Sequence, residues 1–567
     1  MVDLKQKPFY LDEDGICWVR NILATMDLKA KVGQLFCLLG MNDDESVCLD
    51  ILNKIKPGGF MFRSLPGARI QKIHRFVQVH SEIPLLLAAN LERGGNGIAS
   101  DGTFFATQMQ VAATDDETMA YRLGLVCGRE ARAVGCNWSF APVIDLDLNY
   151  QNPITNTRTY GSDPVRVLRM AKSYMKGIHE CGLAVSIKHW PGDGHDSRDQ
   201  HLLISLNNLS VEEWDRSYGK VYRGMIEAGA NTVMAAHIML PAYSRKYTPG
   251  IRDDQILPAS LAPELTQSLL REQLGFNGLI VTDATVMAGF TIPMKRELGV
   301  PTTIAAGCDM FLFTANLEED YEFMLKGIEN GILTMQRLNE AVTRILALKA
   351  SLHLHQHQAE ATLVPDETAL LALNCSEHRA WAAECADKGI TLVKDTQNLL
   401  PLTVEKHKRI LLYVLGDVGR YMDDSQGIHD YFANLLEEIG FVVTLYDYSK
   451  IDFMAMNHPM RALTEAYDLV LYFASLKTAS NQTIVRITWA LPFGVDVPKY
   501  IHDIPTAFIS VDNPYHLQDV PRVKTFINAY TSSQPVVKAL VQKLTGNSSF
   551  TGINPVDPFC GYWEAKL

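Results

Sequence analysis

A chain of 567 residues is too long for one ordinary hydrophobic core, so two or more domains are expected. With 47% hydrophobic and 20% charged residues its composition is globular, which excludes a disordered or fibrous chain. A net charge of −12 denies it the basic footprint that nucleic acid or an anionic membrane needs, and points to small or neutral partners.

The N-terminal MVDLKQKPFYLDEDG mixes charge into its first residues and has no apolar core of a signal peptide. No run of about 18 apolar residues occurs, so no membrane span is expected and the cytoplasm is the expected compartment. The ten cysteines are scattered without a C-x-x-C pair, which reads as reduced, mostly buried thiols.

In chain order, short apolar runs bounded by Gly, Pro or Asn predict strands at 35–41, 58–64, 84–90, 137–146, 183–190, 231–239, 278–284 and 309–314. Between them, 114–135 has helical spacing with acidic residues early and basic ones late, and 210–229 opens on a Ser cap. Eight strands alternating with helices predict a (β/α)8 TIM-like barrel rather than a doubly wound open sheet. The barrel is favoured because Asn90, Asp145, His189, His237 and Asp283 fall at or just past strand C-terminal ends, the mouth of such a barrel. The expected catalytic domain is 1–352. Residues 353–388 are expected to be a linker and connecting helix, with the polar, His-rich 353–369 a solvated connector. A smaller α/β open-sheet (sandwich) domain is expected over 389–567, with strands at 389–395, 409–418, 441–448, 468–476 and 505–511 and a helix near 421–440. VLGDVGR (414–420) is too incomplete to read as a nucleotide-binding turn.

The most concentrated polar stretch is SIKHWPGDGHDSRDQHLLI (186–204). Gly192 and Gly194 allow it to fold over a barrel mouth as a lid. It reads in three ways: a solvated loop, a metal site built from His189, Asp193, His195, Asp199 and His201, or a carboxylate-oriented histidine, Asp199 with His201, for proton transfer near neutral pH. A second constellation is LIVTDATVMAG (279–289), where Asp283 follows an almost wholly apolar strand. It reads as a helix cap or ion-pair partner, or as a nucleophile at the mouth. Weaker signals are NLERGG (90–95), DLD (145–147), TRTYGSDP (157–164) and His237.

Taken in order, these pieces resemble glycoside hydrolase family 3, in its β-N-acetylhexosaminidase branch. The branch's K-H-F-P-G-[HD]-G followed by D-x-H is matched by Lys188-His189-Trp190-Pro191-Gly192-Asp193-Gly194 and Asp199-Gln200-His201. F-A-P-V-x-D is matched by 140–145, R-[ST]-[FY]-G by 158–161, and the nucleophile motif by Thr282-Asp283. The second domain resembles the family only through GITLVKDTQNLLPL (389–402) and its pattern.

The resemblance implies a retaining, two-step exo-β-N-acetylhexosaminidase that needs no metal and no cofactor. Asp283 would be the nucleophile, and His201, held by Asp199, the acid/base. Lys188, His189 and Arg158 would bind sugar hydroxyls, with Asn90 and His237 completing the substrate-binding set. Three positions depart from the pattern. Asn90 stands where the family has Asp, which leaves the gluco or galacto preference open; Trp190 replaces Phe; and His195 is a rival to His201. A metal-dependent hydrolase using His189, His195 and His201, a family 3 phosphorylase, and a non-catalytic carbohydrate-binding protein are the alternatives. The expected partner is a small glycan, with no nucleic acid and no membrane, and the expected state is monomer or homodimer.

Overall fold

The computed structural model describes residues 2–41, 43–416, 427–448, 460–483, 486–491 and 494–567. The chain forms two compact units. The first comprises Met1–Phe105, Ala120–Thr155 and Pro164–Arg379; the second comprises Ala106–Met119, Asn156–Asp163 and Ala380–Leu567. Two short segments inside the first half of the sequence therefore fold with the second unit, which no local pattern announces.

The first unit is built on eight parallel strands: β1 (Phe36–Gly40), β2 (Gly59–Phe62), β3 (Leu86–Ala89), β4 (Trp138–Ser139), β5 (Ala184–Trp190), β6 (Thr232–Ala235), β7 (Leu279–Thr282) and β8 (Phe311–Leu312). Each lies within an expected run. They follow the order β8-β1-β2-β3-β4-β5-β6-β7. A parallel bridge from Val281 to Met310, with Thr282 N donating to Met310 O at 3.0 Å, brings β7 back to β8. The short strands are mostly apolar because both faces are covered, one by the barrel interior and one by the helical layer. β3, β6 and β7 are buried along their whole length.

The expected helix at 114–135 is present as Glu117–Ala133. The one expected over 210–229 starts on a Ser210–Glu213 capping box but breaks at Ser217 into Val211–Arg216 and Tyr218–Glu227. The break accompanies a close approach: a Cβ on Gly219 would lie 2.8 Å from the Trp214 ring. It lets both Trp214 and Tyr218 be fully buried beneath β5. The stretch 353–369 is not a featureless connector. It carries the helix Leu354–Ala359 and the 3₁₀ turn Glu367–Ala372, and His355 stacks on Trp18 at 5.0 Å. An aromatic platform absorbs a histidine that composition alone placed in solvent.

The second unit is a six-stranded sheet of β9 (Thr391–Asp395), β10 (Arg409–Gly416), β11 (Val442–Leu445), β12 (Leu469–Ser475), β13 (Thr506–Ser510) and β14 (Thr525–Asn528), in the order β9-β14-β13-β12-β10-β11. Only the β9–β14 pair is antiparallel. The helices Ile428–Ile439 and Gln534–Leu544 pack their apolar residues into one core of this unit. Strand β14 was missing from the sequence reading because its four residues, TFIN, carry neither alternation nor glycine punctuation. The 414–420 run and the start of the expected 421–440 helix extend outside the described residues. No helix among the described residues is long and apolar enough to cross a membrane. All ten cysteines are free, and most are buried.

Just before β8, the fully buried Asp309 takes Arg337 Nη2 at 2.6 Å and Arg344 Nη1 at 3.4 Å on one oxygen. Its other oxygen takes Arg271 Nη2 at 2.6 Å and the Ile280 N–H at 2.9 Å. Burial opposes its ionisation, but the three guanidiniums outweigh that and hold its carboxyl below the usual range. Removing this anion strands three buried cations. Asp309→Ala is expected to destabilise the barrel by about 3–5 kcal/mol. Breaking the exposed Asp50–Lys54 pair is expected to change stability by less than about 1 kcal/mol. Denaturant unfolding of the two variants checks the contrast.

Candidate active site

The strand ends of the barrel converge on one mouth, and five carboxyl groups and three imidazoles meet there. Strand β5 delivers Lys188 and His189. Asp145 accepts the His189 backbone N–H at 3.0 Å and the Asp193 N–H at 2.8 Å on one oxygen, and faces His189 Nδ1 at 2.6 Å with the other. One buried carboxylate thus fixes the orientation of the His189 ring and turns the chain into the loop that follows. That loop needs its glycines: Gly192 (φ 121°) and Gly194 (φ 99°) are left-handed. A Cβ on Gly192 would meet the Tyr218 ring at 2.1 Å. Tyr218 in turn donates its hydroxyl to Asp193 O at 2.6 Å.

Lys188 is almost fully buried and paired with Glu92 Oε1 at 2.7 Å, while its Nζ also donates to Asn90 Oδ1 at 3.3 Å. Asn90 is exposed at the end of β3. Glu92 was not among the expected site residues, and its signal was the NLERGG run after β3. A buried ammonium needs a counter-charge, and Glu92 is the acid within reach.

Asp199 is fully buried, and one of its oxygens takes both the His201 backbone N–H at 2.9 Å and the His201 ring Nδ1 at 2.6 Å. With Nδ1 on a carboxylate, His201 presents Nε2 from a ring that is 29% exposed. His195, its rival, is half-buried, and its backbone carbonyl accepts from Asn149 Nδ2 at 3.0 Å.

Asp283 follows β7, with its N–H donating to Ala235 O at 2.7 Å and its carboxylate accepting the Ala284 N–H at 2.7 Å. Burial by itself would raise its pKa. The imidazoles of His189, His237 and His201 and the Ala284 N–H overcome that and hold it below the usual carboxylate range. Asp283 is therefore an anion at neutral pH, within the electrostatic reach of all three histidines. His237 comes to the same place but is fully buried. Its Nδ1 faces Ser260 Oγ at 2.9 Å and its Nε2 faces Ala284 O at 3.1 Å, and burial pulls its pKa down. Because a carbonyl only accepts, Nε2 carries the proton, and the ring braces the Asp283–Ala284 corner. Arg158 ends the 3₁₀ turn Asn156–Arg158, which folds with the second unit.

Two of the three histidines of the metal alternative are committed elsewhere: His189 and His201 each engage a separate carboxylate through Nδ1. Among the described residues, no group of three or more His, Cys, Asp or Glu could hold a metal ion.

A closed α/β barrel with an ionised strand-end carboxylate and a carboxylate-held imidazole at its mouth is the apparatus of a glycoside-cleaving enzyme. The chain belongs to glycosyl hydrolase family 3: residues 28–348 match the family's N-terminal domain. It is 48% identical, over the full length of both chains, to the "Beta-N-acetylglucosaminidase/beta-glucosidase" of Cellulomonas fimi. Among solved structures it is similar to the beta-glucoside phosphorylase BglX, with a TM-score of 0.93 and 45% identity over 98% of this chain and 99% of that one. It shares the fold of a family 3 beta-N-acetylglucosaminidase from Paenibacillus sp. str. FPU-7, with a TM-score of 0.76 and 24% identity over 94% and 99% of the two chains.

One carboxyl at the mouth is held well above the usual carboxylate range. Burial, and the Asp145 carboxylate beside it, push Asp193 up to about 8. Asp145 takes three donors, whereas Asp193 Oδ2 has no partner, so the proton of this pair resides on Asp193. The folded protein therefore keeps a proton that the unfolded chain sheds above the ordinary carboxylate range. This penalty grows as pH rises through that window and levels off above about 8. Asp193→Asn mimics the protonated form, and is expected to flatten the decline in stability between about pH 5 and about pH 8 while leaving the fold intact. Chemical unfolding across that range, compared with the parent, checks it.

Proposed function

We propose that the protein is a retaining, exo-acting β-N-acetylhexosaminidase that removes terminal β-linked N-acetylglucosamine, with N-acetylgalactosamine as the epimeric alternative. The observation that carries this reading is Asp283, an ionised carboxylate within electrostatic reach of the Asp199-held imidazole of His201. In the first step Asp283 attacks the anomeric carbon while His201 Nε2 gives its proton to the departing oxygen. In the second, His201 takes a proton from the incoming water as the Asp283–carbon bond breaks, which restores both groups and the original anomeric configuration. Asp199 orients the ring and stabilises its cationic form. The Lys188–Asn90–Glu92 group and His189 are the candidates to bind sugar hydroxyls, and an Asn amide both donates and accepts where an Asp only accepts. Arg158 is proposed as a further hydroxyl ligand on the strength of its R-T-Y-G context.

Asp283→Ala is expected to abolish turnover of chromogenic β-N-acetylglucosaminides; unchanged turnover overturns the reading. His201→Ala is expected to lower kcat/KM by about 10²–10⁴-fold for substrates with poor leaving groups, and far less for a dinitrophenyl glycoside, which departs without a proton.

A second reading changes only the acceptor. The acid/base is an imidazole, and its carboxylate partner is buried behind it, so an approaching phosphate meets less negative charge than an exposed carboxylate would present. The likeness to a beta-glucoside phosphorylase over nearly the whole chain supports the same acceptor. A phosphate oxygen would then form the bond to the anomeric carbon as the Asp283 ester breaks, giving a sugar 1-phosphate. Turnover in phosphate buffer separates the two: free sugar alone supports hydrolysis, and sugar 1-phosphate supports phosphorolysis. Comparing N-acetylglucosaminide with glucoside turnover tests the acetamido preference.

A further inference from the structure

Between Asp199 and His201 lies a residue to which the proposed chemistry gives no task. Gln200 is almost fully buried, and its side-chain carbonyl accepts the His237 backbone N–H at 2.9 Å, just beyond the end of β6. The amide orientation follows from its partner, because an N–H must meet the oxygen. The main chain on either side of this side chain is held as well. Gln200 O accepts the Gly289 N–H at 3.2 Å, and His201 O accepts the Ala288 N–H at 3.1 Å. Residues 288 and 289 open the short helix Ala288–Thr291, which follows the turn that carries Asp283. The approach is close enough to demand glycine there: a Cβ on Gly289 would lie 2.7 Å from Gln200 O, 2.7 Å from His237 Cβ and 2.9 Å from Leu203 O.

These contacts close a circuit. Gln200 joins the His201 loop to His237, His237 Nε2 joins Ala284 O, and Ala284 N–H joins the Asp283 carboxylate. The loop bears two positive-φ glycines, at 192 and 194.

We propose that Gln200 is a positioning residue: its side chain latches the acid/base loop to the end of β6 and, with the close approach at Gly289, sets the placement of His201 relative to Asp283. This rests on the acid/base and nucleophile roles proposed above. Losing the latch lets His201 drift from the departing oxygen, and a misplaced proton donor matters in proportion to the leaving group's need for a proton.

The test is kcat/KM, which reports the glycosylation step, for an alkyl glycoside and a dinitrophenyl glycoside. The parent is compared with Gln200→Ala, Gln200→Glu and His201→Ala. Gln200→Ala is expected to lower the alkyl value by about 10–100-fold and the dinitrophenyl value by less than about 3-fold. Gln200→Glu keeps an acceptor oxygen and is expected to restore most of the loss. Equal losses on both substrates, or no loss on either, overturn the proposal. If His201→Ala itself shows no dependence on leaving group, the acid/base assignment fails instead, so the two failures are distinguishable. Should Gln200→Ala fold poorly, Gly289→Ala, which pushes the loop off the same contact, is expected to give the same leaving-group signature, and equal losses there overturn the proposal equally.

Discussion

Asp145 is the constraint on which the mouth of the barrel depends. A buried carboxylate must have its lone pairs satisfied, and this one takes three donors: the backbone and ring of His189 and the backbone of Asp193. Those bonds end β5, aim the His189 ring at the mouth and turn the chain into the loop that reaches Asp199 and His201. They also place a second carboxyl so close that it stays neutral, which spares the site one negative charge. An ionised Asp193 would add a second negative charge beside Asp145.

Around this anchor the charges are arranged in pairs. Asp145 faces His189, Asp199 faces His201 and Glu92 faces Lys188, so three of the acids at the mouth each have a dedicated cationic or imidazole partner. Asp283 differs: among the described residues its carboxylate bonds to its own turn, and its charge is sustained by imidazoles that are each committed elsewhere. An anion stabilised at a distance and not tied up by direct ion pairing keeps its oxygens available to a substrate carbon. His237 shows the complementary arrangement, with both ring nitrogens used within the protein to brace the corner that Asp283 occupies.

Much of the barrel was legible in the sequence because its strands are apolar on both faces and short, so runs such as LLLAAN and LIVTDA stand out without any alternation. The helix break at Ser217 was not legible, because the close approach of the Trp214 ring to Gly219 that accompanies it is a contact between neighbouring turns that propensity does not encode. Strand β14 escaped for lack of pattern. Among the candidate site residues, Asp283, Asp199 and His201 were visible through strand-end position and close spacing, while Glu92, within the NLERGG run, and Gln200, between Asp199 and His201, were given no role of their own. Glu92 gains its meaning from Lys188 and Gln200 from His237, partners 96 and 37 residues away.

The sequence by itself determined the alternation of strands and helices, the composition of the mouth and the family, because these are set by local periodicity and by motifs a few residues long. Tertiary structure decided which carboxylate each histidine serves, that the proton of the Asp145–Asp193 pair lies on Asp193, and that residues 106–119 and 156–163 fold with the later part of the chain. The reason is the same in each case. Protonation, orientation and unit membership depend on groups far apart in the chain, whose distances are fixed only when the barrel closes and excludes water between them.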